Sequence, residues 1–509
     1  MLTVVFLIAA FLRFYDITHT PPGFYPDEAI NANNGVEAWE TGHFKIFYPE
    51  NNGREGLWMN IIGFFMFKFG HEPWIPRAIA AVFGLFTVLG VYFLTKKIFS
   101  KKIALLSSFF IATSFWHINF SRISFRAILA PAFLVWGLYF LIKTLNQIKN
   151  NFEFRISNFD SNSNEVIQKL DHLKFIQNLK LKIKNFSLPF LGGILYGLGF
   201  HTYIAYRVTP VLILIILLFY WFQNKEKSYR QKIIIPIALF LVSAFVVAAP
   251  LFWYFLKNPQ DFLGRTSQIS VFSSPNPVKT LGINILKTAG MFNFAGDSNW
   301  RHNYPSQPEL FWPVGILFLL GSFLGIRSII KKIKAMEFSV LFGWFAFAAL
   351  PVVVSNEGLP HALRAILMIP PIFILAGIGG ARLYKLLAEK IKNQRAFNIF
   401  VLIFLSLLAF QAYTSYFILW GGNPNTADAF NANYVAIGRQ INNLTKETPK
   451  YVIVKASGVL VRGIPMPAET IMFITDTFTP KKQKEKNIFY ILPDQINQIP
   501  VGAFRINLE

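Results

Sequence analysis

The sequence contains no cysteine, which excludes disulfides, thiolate metal sites and cysteine nucleophiles. It is also short of acids: 26 Asp and Glu face 49 Lys and Arg, for a net charge of +23. Eight of the acids fall between positions 16 and 72 (Asp16, Asp27, Glu28, Glu37, Glu40, Glu50, Glu55 and Glu72), and none follows until Glu153. The long apolar blocks carry no acid at all. Coupled transporters keep carboxylates inside the membrane because a mid-bilayer charge is costly and retained only for use, so this absence counts against ion-coupled transport.

What the chain has in abundance is apolar sequence, 53% of residues with a mean hydropathy of +0.42. The apolar residues come in blocks long enough to cross a bilayer, which takes about 20 helical residues. A membrane barrel is excluded, since its strands would be alternating segments of about 10 residues. The fold class expected is an all-α polytopic membrane protein with about eleven spans, at residues 1–12, 77–99, 103–118, 127–142, 189–203, 207–222, 233–255, 310–330, 338–354, 361–384 and 397–420. The first block lacks a basic start and a small-residue cleavage site and reads as an uncleaved span. Residues 56–69 are apolar but short, as for an interfacial or re-entrant helix.

The basic residues explain the charge without nucleic acid. Lys-rich turns at 95–102, 143–187, 223–232, 327–337 and 382–396 fall on alternate connections, which makes those turns cytoplasmic. An acidic loop at 14–56, a polar loop at 257–309 and the C-terminus then lie outside a plasma membrane that the chain crosses many times. Residues 144–187 read as a low-complexity cytoplasmic insertion. The membrane domain thus spans 1–421. Residues 422–509 read as a small soluble α/β domain on the external side. Phe430, Tyr434, Ile437 and Ile441 share a helix face there, and YVIVKAS, IMFITD and NIFYILP read as strands.

The outer ends of the spans set the acidic loop against a crown of Arg and His. Arg holds phosphate bidentately, so the crown points to a phosphate-bearing ligand at the outer surface, with acids available for proton transfer. The motifs YPDEA, GREGLWMNIIGFFMFKFG, PRAIAAVFGLFTVLGVYFLTKKIFSKK, SRISFRAILAPAFL, GFHTYIAYRVTP, GDSNWRHNYPSQPEL and GLPHALRAILMIPP follow in order. Together they resemble the membrane glycosyltransferases of family 39 and relatives, which include protein O-mannosyltransferases and bacterial aminoarabinose transferases with the GT-C fold. The resemblance covers residues 10–385.

That resemblance implies transfer of a sugar from a polyprenyl-phosphate donor to an acceptor hydroxyl, with inversion, on the extracytoplasmic face. The acceptor would be a glycan, lipid or protein. Asp27 matches the general base of the family's first loop, with Glu28 and Glu55 as further catalytic candidates. Arg54, Arg122, Arg126, Arg207, Arg301 and Arg364 are the candidates for the donor phosphate. Tyr25, His201, Tyr203, Asp297, Trp300, His302 and His361 are the candidates for the rest of the substrate. No metal site is assigned. Some relatives bind a divalent ion beside the acids, and Glu55, His201, His302 and His361 offer ligands, but no pair has metal spacing such as HxxxH.

Each candidate has a structural alternative. Asp27 could cap a helix beginning at Glu28, and Glu28 could be first-turn dipole charge. GREG departs from the Pro-rich or Lys-containing stretch of relatives, which leaves the roles of Glu55 and Arg54 open. Arg122 and Arg126 could be snorkelling anchors. His361 and Arg364 flank a helix start and could pack against loops. A flippase of lipid carriers, or a glycan-binding assembly protein, is the alternative function. The topology is the first thing to test. Reporters fused after Lys102 and after Lys334 should read as cytoplasmic and one fused after Ala429 as external; a cytoplasmic C-terminus would remove the basis for an external site.

Overall fold

The computed structural model describes residues 1–157, 186–223, 226–262 and 270–509. Among these, eight helices are long and apolar enough to cross a membrane: Trp74–Ile98, Arg126–Asn150, Ile204–Phe222, Lys227–Lys257, Trp312–Ile330, Ala335–Val353, Ile366–Lys390 and Gln394–Trp420. The other three expected spans are shorter. Helix α1 is Leu2–Phe14, the second is Phe186–Gly199, and the third is broken into α5 (Lys101–Ala112) and α6 (Phe115–Phe120). The break has a local cause, because Ser114 caps the new helix by accepting from the His117 N–H. Helix α7, Leu129–Ser157, continues into what the sequence suggested was a cytoplasmic insertion at 144–187, and most of that segment lies outside the described residues. The 257–309 segment, expected as an external loop, is not all loop, since it contains the helix Pro277–Gly290.

The acidic segment at 14–56 is ordered structure. Helix α2 spans Pro26–Thr41 and is followed by a small hairpin of β1 (Phe47–Tyr48) and β2 (Arg54–Glu55). The two strands are antiparallel, with Phe47 opposite Glu55 and Tyr48 opposite Arg54. The turn between them is left-handed at Asn51, Asn52 and Gly53. Asn and Gly are the residues that tolerate that conformation, which is why this polar run closes so tightly.

Helix α2 is polar in composition yet buried on most of its surface, including Glu28, Asn31, Asn33 and Asn34. Buried polar groups need partners, and most of these have them, the Asn34 side-chain nitrogen being an exception. Arg54 donates to the Asn31 and Asn34 side-chain oxygens at 2.8 and 2.7 Å, and Asn33 donates to Glu469 at 2.7 Å. On another face α2 crosses α3 (Leu57–Phe69), the expected interfacial helix. A Cβ on Gly35 would lie 2.4 Å from the Met59 carbonyl oxygen, and one on Gly63 would lie 2.3 Å from that of Gly35. The crossing therefore exists only because both positions are glycine. Helix α4 is Trp74–Ile98 and packs between α1, α5 and α7.

The C-terminal region contains a parallel three-stranded sheet, ordered β6 (Ile488–Ile491), β3 (Lys450–Val454), β7 (Phe504–Leu508). Its helices Ala432–Asn442 and Glu469–Thr475 pack together on it. The expected strands around 451 and 488 are present. The expected strand IMFITD is instead the helix Glu469–Thr475, a short apolar run that period alone cannot distinguish from a strand. Its burial comes from packing against α2 as well as against its own domain.

This domain sits on α2 through specific contacts. Arg462, in the turn between β4 (Leu460–Val461) and β5 (Ile464–Pro465), clamps Glu37 with bonds of 2.9 and 2.6 Å. Lys482 bridges Glu40 at 2.5 Å and Asp476 at 2.7 Å. Thr470 donates to the Phe24 carbonyl at 2.8 Å, and the Phe24 and Phe473 rings lie 4.8 Å apart. Burial pushes the Glu469 carboxyl up to about 7, against the pull of the Asn33 hydrogen bond and of Arg54 and Arg462. The folded chain therefore holds this proton more tightly than the unfolded chain does. Stability is greatest below the unfolded carboxylate range and is lost as pH rises to about 7, by up to about 3 kcal/mol. Glu469→Gln should remove that dependence, so that its thermal unfolding in detergent changes less between pH 5 and pH 7.5 than the parent's and lies higher at pH 7.5. Parallel pH curves for the two proteins would refute the buried-acid reading.

Candidate active site

Asp27 stands in the first turn of α2, where the helix dipole favours an anion. It is not the cap, contrary to one reading of the sequence. The capping position is Tyr25, Pro26 opens the helix, and Glu28 reaches back to accept from the Tyr25 N–H at 3.2 Å. Asp27 is half-buried and accepts from the Asn51 side chain at the tip of the β1–β2 turn, at 2.7 Å. Tyr25 lies beside it. Burial and the Asp27 charge raise the Tyr25 hydroxyl pKa, and Arg301 acts the other way. The Arg301 guanidinium sits 4.0 Å above the Tyr25 ring. Asp27, Tyr25 and Arg301 thus form one connected group.

Glu28 points the opposite way, into the protein, and is fully buried. Arg77 grips both of its oxygens, Nε to Oε1 at 3.0 Å and Nη2 to Oε2 at 2.9 Å. The Ser124 N–H donates to Oε1 at 2.8 Å. The same guanidinium donates to the Pro21 and Gly23 carbonyls at 2.6 and 2.9 Å. With its charge and lone pairs committed, Glu28 is a positioning residue.

Glu55 joins two elements. It is buried at the end of β2, and its oxygens accept from Arg126 Nε at 3.1 Å and Arg207 Nη2 at 3.4 Å. Arg126 also donates to the Gly53 carbonyl, and Arg207 to that of Phe262. Their side chains remain 17% and 20% exposed. A guanidinium has five N–H donors, so each has donors left for a ligand, and one carboxylate leaves the pair with a net positive charge. Aromatic faces hold the two cations: Tyr203 under Arg126 at 5.7 Å, and Phe255 and Phe262 at 4.7 Å from Arg207. His201 is beside this group and is hydrogen-bonded to the Val247 carbonyl at 2.8 Å.

The segment after the helix Pro277–Gly290 forms a third group. Asp297 accepts from His302 Nδ1 at 2.9 Å, and His361 Nδ1 lies 3.9 Å from the same oxygen. Trp300 lies between Asp297 and His302 in sequence, with its carbonyl accepting from the Trp420 indole at 2.9 Å.

Residues 57–154 match the family model of dolichyl-phosphate-mannose-protein mannosyltransferase. Among curated proteins, none matches the sequence. Among solved structures, the chain is similar to ArnT from Cupriavidus metallidurans bound to undecaprenyl phosphate, with a TM-score of 0.53 at 14% identity over 99% of this chain and 93% of that one. The apo state of the same ArnT gives 0.51 at 15% identity, over 93% and 84%. The archaeal oligosaccharyltransferase AglB from Archaeoglobus fulgidus, in complex with an inhibitory peptide and a dolichol-phosphate, gives 0.52 at 13% identity. That alignment covers 93% of this chain, which spans 63% of the length of AglB. The chain has the GT-C fold.

Within this GT-C fold the arginine candidates divide in two. Arg126, Arg207 and Arg301 are part-exposed. Arg54 and Arg122 are buried, contrary to the expectation that they hold phosphate. Arg54 is buried between α2 and the hairpin, and burial lowers its pKa to about 10, with Arg126 acting in the same direction. Arg122 is fully buried, donates to the Thr20 carbonyl at 2.7 Å and lies 4.8 Å from the Phe417 ring. Arg364 is mostly buried and engaged with Ser355 and with Glu357. The sequence reading missed Arg77 and Asn51. Arg77 stands at the head of an apolar span, and its partner is 49 residues away. Asn51 was part of a turn with no other mark.

The Arg77–Glu28 pair gives a direct test. Glu28→Gln keeps the shape but leaves a buried guanidinium without its counter-charge, a change that costs about 3–5 kcal/mol. Thermal unfolding of the detergent-solubilised protein should drop markedly, while Asp27→Asn in the same assay stays near the parent. An unchanged Glu28→Gln would rule out the clamp.

Proposed function

We propose that the chain transfers a sugar from a polyprenyl-phosphate-linked donor to an acceptor hydroxyl, with Asp27 as the general base. The observation that carries this is the set of groups linked to Asp27 through one hairpin. A half-buried carboxylate is held by Asn51 and Tyr25, and the β1–β2 hairpin that carries Asn51 ends at Glu55, the buried acid shared by part-exposed Arg126 and Arg207. The GT-C fold and the family-model match over 57–154 support the same reading, as do the lipid phosphates bound to ArnT and AglB.

In this reading Asp27 takes the proton of the acceptor hydroxyl as its oxygen attacks the anomeric carbon. The bond from that carbon to the phosphate oxygen breaks with inversion, and polyprenyl phosphate leaves. A hydroxyl needs such a base because it is a poor nucleophile while protonated. The leaving oxygen carries a low-pKa phosphate and needs positive charge rather than an acid. Arg126 and Arg207 supply it, and Glu55 keeps both guanidiniums turned to one place. Arg301 is the third cation, on the far side of Tyr25. The site faces the extracytoplasmic side if the Lys-rich turns are cytoplasmic.

Asp27→Asn preserves the hydrogen bond from Asn51 and removes the base. Transfer from a polyprenyl-phosphate sugar by the purified protein in lipid should fall roughly 100- to 10,000-fold, with donor binding retained. Arg126→Ala and Arg207→Ala should do the reverse and weaken donor binding, each by about 1.5–3 kcal/mol for a charge-assisted contact. Lys at 207 should restore only part of it, lacking the planar fork. Parental turnover in Asp27→Asn would end the assignment. Parental donor affinity in both alanine variants would return the two arginines to a structural role.

A further inference from the structure

Asp297, His302 and His361 come from two separate external segments, and one ligand atom from each lies within 4.8 Å of the others. We infer that these three residues bind one divalent transition-metal ion of the zinc class. Three observations support this.

The donor set is right for zinc, which takes imidazole nitrogen and carboxylate oxygen at about 2.0–2.2 Å in a tetrahedral arrangement, so that its ligand atoms sit about 3.4 Å apart. The separations from Asp297 Oδ2 are 2.9 Å to His302 Nδ1 and 3.9 Å to His361 Nδ1. The two imidazole rings face each other, 4.8 Å between centroids and 30° apart in tilt.

The carboxylate is held as metal ligands are held, by outer partners that fix its direction. The Asn299 N–H donates to Oδ1 and the Ala362 N–H to Oδ2, both at 2.9 Å. The backbone N–H of Asp297 donates to Glu309 Oε1 at 3.0 Å. His302 is backed by the Phe120 ring at 5.9 Å.

The Asp297 carboxylate has no arginine or lysine counter-charge. Asp297 and Glu309 are both 3% exposed, and among the described residues neither forms an ion pair with an arginine or lysine. The second Glu309 oxygen is buried without a hydrogen-bond partner. A buried carboxylate without such a counter-charge is expensive, and a dication would balance that of Asp297. A second group of the same kind, Glu40, His71 and Asp476, differs on this point, because the Lys482 ammonium already sits between its acids.

Such an ion would tie the turn that carries Trp300 and Arg301 to the segment that carries His361. Arg301 is the residue that lies over Tyr25, so the metal would fix the cation beside Tyr25 without touching Asp27. Its presence is independent of whether the chain transfers sugar.

The full chain, purified in detergent without a histidine tag, should carry about one zinc per molecule by elemental analysis or, after stripping with chelator, take up one equivalent from Zn²⁺ alone. His302→Ala with His361→Ala should lower that content at least about tenfold, and His71→Ala should not. A second variant gives a signal that misfolding cannot mimic. The sequence has no cysteine, so His361→Cys creates a single thiol, and Co²⁺ added to the stripped variant should give a near-ultraviolet thiolate-to-cobalt band. Stripped parent protein that takes up neither Zn²⁺ nor Co²⁺, zinc retained by the double variant, or no such band in His361→Cys would each overturn the assignment.

Discussion

The site depends on one buried ion pair. Arg77 on α4 and Glu28 on α2 are both removed from water, and such a pair is kept only where its geometry satisfies both charges. Here it does, since the carboxylate also accepts the Ser124 and Tyr25 N–H groups and the guanidinium also binds two carbonyls of the preceding loop. The pair joins the entry loop, the start of α2, the head of α4 and the turn after α6 at a single point. The adjacent residue, Asp27, gains a fixed direction from a neighbour that does no chemistry. Gly23 belongs to the same arrangement, because a Cβ there would lie 2.4 Å from the Phe430 carbonyl oxygen.

Around this point the cations fall into two populations with different environments. Arg13, Arg54, Arg77 and Arg122 are buried and spend their donors on carbonyls, amides and a carboxylate of the protein itself. They hold irregular backbone whose buried carbonyls would otherwise lack donors. Arg126, Arg207 and Arg301 keep part of their surface in contact with solvent and rest on aromatic rings. A guanidinium stacked in this way is oriented without using up its N–H groups, which suits it to an incoming anion.

The bilayer constraint made much of the architecture legible. Long apolar runs, Lys-rich turns and the absence of acids from the spans identified a polytopic helical protein, and the long helices lie where those runs are. The concentration of acids in 16–72 led to Asp27 and Glu55. What could not be read was which charges face each other. Glu28 and Asp27 are adjacent and chemically alike, and only their partners, 49 and 24 residues away, separate a clamp from a half-open carboxylate. Arg122 and Arg126 share one short turn, yet a carbonyl at Thr20 takes one and a carboxylate at Glu55 the other. Short apolar stretches were ambiguous for a different reason. IMFITD has no decisive period, and in the structure it is a helix packed against α2 and against the helix Ala432–Asn442.

That contact has a temporal side. Glu37, Glu40 and Asn33 on the helix bearing Asp27 find their partners at Arg462, Lys482 and Glu469, which are 425, 442 and 436 residues further on and are made later. A growing chain can insert its helices one after another, but it cannot complete the surroundings of α2 until the C-terminal domain has been delivered to the same side of the membrane and folded there. Synthesis order thereby becomes a form of quality control, in which an interrupted or misoriented chain leaves several polar side chains of α2 without partners.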